Sequence, residues 1–241
     1  MKIKSQKAEP SQNNNSSYFL LNPGSPAEIK DSYIKLRTNL MFCTKKDSEE
    51  SCKVFAVSAA NKAEGKSVTA ANIAISFAML GKKTILIDAD MRSSSQRKLW
   101  KNRSQAGLCD FLAKVMPLEI YSVDEIPLSI VFTGTLPYNP AELVSTKKMK
   151  DFVKECAEHY EYVIIDTPSF NAYADAQIIS TYVDGVILVS KSGSTPAKDL
   201  NEAIDTLYHS NGNLSGIIIN NIKEKSSSFF SLKNMKFEYN R

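Results

Sequence analysis

Residues 53–92 read KVFAVSAANKAEGKSVTAANIAISFAMLGKKTILIDADMR. The run opens with an unbroken apolar stretch, which predicts a strand buried on both faces over 54–58. A short polar loop follows, then a helix expected over 66–80, closed by Gly81 at the position where helices favour glycine. A second apolar strand, 84–87, ends in Asp88 and Asp90. Strand, loop, helix, strand with terminal acids is the order that holds a nucleoside triphosphate and its Mg²⁺.

The loop explains the spacing. Ala60-Asn61-Lys62-Ala63-Glu64-Gly65-Lys66-Ser67 fits the phosphate-loop pattern with alanine in place of its first glycine. Backbone N–H groups from Ala60 through Val68 must curl around phosphate oxygens, and the next helix must aim its positive end at them. Gly65 permits the close approach. Lys66 is expected to reach the β- and γ-phosphates, and the Ser67 hydroxyl to ligate Mg²⁺. A Gly-Lys-Ser triplet alone says little; between a buried strand and an apolar helix it says much more.

Two strands carry acids. Residues 85–92 read ILIDADMR, and residues 163–168 read VIIDTP. Acids at the carboxyl ends of parallel strands sit in the crevice where such sheets bind ligands. Gathered there without a cation they are costly, so Mg²⁺ is the natural partner of Asp88 and Asp166. Asp90 shares a face with Asp88 if the strand continues, and could act as a base or a further metal contact. Arg92 is read either as a group on the transferring phosphate or as one half of a surface ion pair.

The rest of the chain repeats the alternation. Helical spacing of Ile29, Tyr33, Leu36 and Leu40 predicts a helix over 27–42. Further strands are expected at 129–132, 162–165, 185–189 and 216–219, and helices at 141–160, 174–182 and 197–209. Residues 93–128 have no period that assigns them. The fold class is therefore α/β, a three-layer sandwich with a mostly parallel sheet covered on both faces. Residues 1–26, polar and rich in Asn and Ser, are expected as a flexible arm, with 18–21 as a docking patch. Residues 27–222 form the domain, and 223–241 a mobile basic tail.

Composition narrows the function. A net charge of +4 gives no reason to expect nucleic acid. No apolar run approaches the roughly 18 residues of a membrane span, and the first residues lack the apolar core of a secretory signal. Cys43, Cys52, Cys109 and Cys156 are widely spaced and read as free thiols of a reducing cytoplasm. His159 and His209 are expected at helix ends, and Trp100 in packing.

The three motifs SAANKAEGKS, ILIDADMR and VIIDTP resemble the bacterial tyrosine kinases of capsule and exopolysaccharide synthesis. The segment TGTLPYNPAEL is similar to the family's stretch before the second acidic strand, and GIIINN places Asn220 where related ATPases contact adenine. The resemblance spans about residues 27–222. It implies an ATP- and Mg²⁺-dependent kinase of protein tyrosines, acting through Lys66, Asp88, Asp90 and Arg92. It also implies a cytoplasmic chain recruited to the inner face of the membrane by an adaptor of the polysaccharide co-polymerase type, assembling as a homo-oligomer.

This chain departs from that pattern in three places. The tail holds Tyr239 as its one tyrosine, so Tyr239 is the candidate phosphoacceptor. The helix expected to contact neighbouring subunits has Asp31, Ile34 and Arg37, one arginine short. Ala63 stands where relatives have glycine; a positive φ there would cost about 1 kcal/mol. Two other readings share the loop. A partitioning-type ATPase switch needs a lysine where this chain has Asn61. A regulatory subunit would bind nucleotide without transferring phosphate.

Overall fold

The structure is a computed structural model that describes residues 4–8, 19–45, 53–93, 95–102 and 106–222. Its elements are β1 (Lys4–Ala8), α1 (Ala27–Met41), β2 (Val54–Ala59), α2 (Lys66–Met79), β3 (Thr84–Asp88), α3 (Ser95–Leu99), α4 (Leu108–Leu112), β4 (Glu119–Val123), β5 (Leu128–Val131), α5 (Pro140–Ser145), α6 (Lys147–His159), β6 (Tyr162–Asp166), α7 (Ala174–Ser180), β7 (Gly185–Lys191), α8 (Ala197–His209) and β8 (Leu214–Asn220).

One sheet of eight strands runs β1-β4-β5-β3-β6-β2-β7-β8. Every neighbouring pair is parallel except β4 with β5. The apolar runs explain the layers. Alternate residues point to opposite faces, so Val54, Ile85, Val163 and Val186 join one core with Leu108, Met149, Phe152 and Leu207. Phe55, Leu86, Ile164 and Ile187 join the other, against Ile73 and Phe77 of α2. A strand apolar at every position is thus a strand covered on both sides. Phe77 is fully buried and stacks on Tyr162 with ring centroids 3.8 Å apart; truncating such a ring to alanine costs about 3–5 kcal/mol.

Local chemistry ends the elements. Gly81, at φ +81°, donates to Ala78, and Lys82 donates to Phe77, closing α2 with the paired bonds that a left-handed residue allows. The single helix expected over 141–160 is two helices. Thr146 is extended and its hydroxyl accepts the Met149 N–H at 3.2 Å, so a cap replaces a helical turn. Residues 93–128 supply α3, α4, β4 and the start of β5, all four only four or five residues long and too short to show a period.

The arm expected over residues 1–26 is not free throughout. Residues 4–8 form β1, paired in parallel with β4 along five residues; backbone pairing to an open sheet edge needs no apolar side chains. Residues 19–21 are tied to α2: Leu21 N–H donates to Asn72 Oδ1 at 2.8 Å, and Asn72 Nδ2 donates to the Phe19 carbonyl at 2.9 Å. Tyr18 and the tail 223–241 lie outside the described residues. In α1, Leu40 is buried, but Ile29, expected inward, is exposed together with Ile34. Arg37 turns inward and donates to the Ser76 carbonyl at 2.7 Å. Among the described residues no helix is long and apolar enough to cross a membrane.

Candidate active site

Strand order brings the motifs together. β6 lies between β3 and β2, so Asp88, Asp166 and the loop after β2 share one end of the parallel sheet. Asp88 and Asp166 are register neighbours.

The loop is braced from within. Glu64 is buried and its Oε2 accepts the Asn61 N–H at 3.1 Å, while Oε1 accepts the Thr195 hydroxyl at 2.6 Å. Asn61 Nδ2 donates to Asp199 at 2.7 Å. Gly65 has φ +95°, and a Cβ there would lie 2.1 Å from Asn220 Nδ2. Ala63 does take a positive φ, +62°, so alanine carries the left-handed strain anticipated for that position. Val68, half-buried in the first turn of α2, offers its backbone alone.

Lys66 is buried and already paired. Its ammonium bonds Asp90, lies 3.3 Å from Ser67 Oγ, and is 3.8 Å from Asp166 Oδ1. Burial works against this charge, but Asp166, Asp90 and Asp88 outweigh it and hold the pKa above the ordinary lysine value. Asp90 is no continuation of the strand, which ends at Asp88. It sits in a turn, where it also accepts the Ser93 hydroxyl at 2.9 Å and the Arg92 N–H at 3.2 Å.

Asp88 and Asp166 are fully buried. Among the described residues, neither oxygen of Asp88, nor Asp166 Oδ1, has a hydrogen-bond partner. Burial, and then the charge of Asp166, push the Asp88 carboxyl well above the usual range; burial also raises Asp166. Three orphaned acceptor oxygens beside a buried serine hydroxyl suit a hard cation. Among the described residues no group of three or more His, Cys, Asp or Glu side chains could hold a metal ion alone.

Three expected groups have protein partners of their own, and for Arg92 the partner makes the ion pair that was one of its two readings. Lys62 points to the Tyr173 hydroxyl at 2.8 Å. Arg92 makes a two-bond pair with Asp175, at 2.6 and 3.1 Å, and lies over the Tyr173 ring at 4.1 Å. Asn220 Nδ2 donates to the Glu64 carbonyl at 2.9 Å, so its side chain braces the loop. Tyr239 lies outside the described residues. Sequence reading missed Asp175, Tyr173, Thr195 and Gln96. Of these, Asp175 lies in the pair Asp175-Ala176 that follows the second acidic strand.

Residues 51–234 match a family model described as ParA, the NUBPL iron-transfer P-loop NTPase. The chain is 37% identical over 195 residues to the tyrosine-protein kinase YwqD of Bacillus subtilis (strain 168), covering 80% of this chain and 81% of that one. It is 32% identical over 198 residues to the tyrosine-protein kinase CpsD of Streptococcus pneumoniae serotype 4, covering 81% and 85%. The solved kinase domain of the Escherichia coli tyrosine kinase ETK superposes with a TM-score of 0.80 at 26% identity, covering 92% of this chain and 86% of that one.

Proposed function

The chain belongs to the bacterial tyrosine kinases of capsule and exopolysaccharide synthesis, a branch of the P-loop NTPases, and from that premise we propose which of its residues carry the transfer. It is an ATP-dependent protein-tyrosine kinase. The observation that carries the assignment is the pair of register-matched buried aspartates, with three oxygens that accept no hydrogen bond among the described residues, beside a lysine on the phosphate loop.

In this reading the amides from Ala60 to Val68 bind the phosphates, and Ser67, Asp88 and Asp166 hold Mg²⁺. Bound there, Mg²⁺ supplies neutralisation of charge on the phosphoryl oxygens. Lys66 moves its ammonium from Asp90 to the β- and γ-phosphates. That exchange leaves Asp90 Oδ2, still bonded by the Ser93 hydroxyl, with an open acceptor position for the proton of an incoming tyrosine hydroxyl. The loop's internal bonds through Glu64 and Asn220 hold its amides in place, so little reorganisation falls on the transfer step. Arg92, aligned by Asp175, faces the acceptor side.

The partner in this proposal is a membrane adaptor of the polysaccharide co-polymerase type, which brings the chain to the inner face of the membrane. Self-association through α1 would rest on exposed Ile29 and Ile34, since Arg37 is spent on Ser76. Tyr239 is the proposed acceptor. An anti-phosphotyrosine blot of the full chain after incubation with MgATP tests the assignment. Labelling is expected in wild type and lost in Lys66→Met, by about 100-fold or more. Undiminished labelling in a folded Lys66→Met protein defeats it.

A further inference from the structure

Gln96, on the short helix α3, is fully buried, although no motif of the chain includes it. One amide nitrogen serves two acceptors: Nε2 donates to Asp166 Oδ2 at 2.9 Å and to the Ser67 carbonyl at 2.8 Å. Its oxygen accepts the Trp100 indole N–H at 3.2 Å. An indole nitrogen can only donate, so the orientation of the amide is settled: oxygen toward Trp100, nitrogen toward Asp166. Both N–H bonds are thereby committed. Asp166 is left with one oxygen held and one, Oδ1, without a hydrogen-bond partner.

Given the metal assignment proposed above, we infer that Gln96 is a positioning residue for the cation site, with Trp100 as its lock. It turns Asp166 so that Oδ1 alone faces the cation. Through the Ser67 carbonyl it fixes the backbone that carries the Ser67 hydroxyl. A neutral donor suits the place. A second carboxylate would repel Asp166, and an aliphatic side chain would leave Oδ2 buried without a partner. Groups that orient a metal ligand from behind set metal affinity even though they never touch the ion.

The test titrates Mg²⁺ into the full chain at constant ADP and follows uptake by calorimetry. In Gln96→Leu the Mg²⁺ concentration for half-maximal uptake is expected to rise about tenfold, while ADP uptake in EDTA stays at the wild-type level. That split separates positioning from a packing defect, which would weaken both. Trp100→Phe, which keeps an aromatic ring and loses the N–H, is expected to give a smaller rise in the same direction. A folded Gln96→Leu protein with the wild-type Mg²⁺ requirement overturns the inference. If Gln96→Leu does not fold, a wild-type requirement in Trp100→Phe overturns it. Wild-type protein that takes up ADP without regard to Mg²⁺ overturns the metal assignment itself, a separate and recognisable result.

Discussion

Asp88 and Asp166 face one another across adjacent parallel strands, both fully buried, with one hydrogen bond, from Gln96, among their four carboxylate oxygens. The pair is a liability to the nucleotide-free fold. Burial, then the neighbour's charge, raises the Asp88 carboxyl above its unfolded value. A group raised in this way favours the folded state while protonated. Its contribution is full below the unfolded pKa and is lost as pH rises through the folded one. We expect Asp88→Asn to raise the nucleotide-free melting temperature at pH 7.5 by a few degrees, about 1 kcal/mol, and to abolish Mg²⁺-dependent ADP binding. The gain should shrink at pH 5. Melting curves at the two pH values check it; a lower melting temperature at pH 7.5 contradicts it.

Gly65 is fixed by two separate constraints. Its φ of +95° costs a side-chain-bearing residue about 1–2 kcal/mol, and a Cβ would collide with Asn220. Gly65→Ala should weaken ADP binding at least about tenfold, the equivalent of 1.4 kcal/mol. Adding Asn220→Ala should restore only the part due to collision. Full recovery in the double variant would remove the backbone argument. Ala63→Gly should act the other way, stabilising the protein by up to about 1 kcal/mol, read from chemical denaturation.

Arg92 and Asp175 are joined by two bonds on a partly exposed side chain. A lysine cannot reproduce that fork. Arg92→Lys is expected to lower the rate of tyrosine phosphorylation about tenfold or more while leaving ADP affinity within about twofold. Asp175→Asn should lower the rate less. Equal losses in rate and nucleotide affinity would assign Arg92 to binding instead.

Cys109 and Cys156 have their thiols pushed up to about 12, chiefly by burial. A thiol held protonated is a poor nucleophile. Both should resist an aromatic disulfide reagent at pH 8 in the folded protein and react on unfolding. Rapid loss of either in native conditions would show that the core opens around it.

The layers were legible because unbroken aliphatic runs such as Ile85-Leu86-Ile87 and Val163-Ile164-Ile165 admit one arrangement, a strand between two helical layers. The phosphate loop and its acids were legible because their spacing is local. What escaped is non-local or brief. Arg92 meets Asp175 from 83 residues away, and Glu64 meets Thr195 from 131. No periodicity carries that information. Gln96 sits on a five-residue helix without a period, and the break at Thr146 turns on one hydroxyl competing with the backbone. Strand β1 escaped because its pairing is made by main chain.

The same strand sets a distance. β1 and β8 occupy opposite margins of the sheet, seven interstrand steps apart. At about 4.8 Å per step the separation is roughly 34 Å. Residues 4–8 are therefore held far from the strand that leads toward Tyr239. Fluorophores placed on the two margins would form a ruler with the nucleotide cleft between its ends.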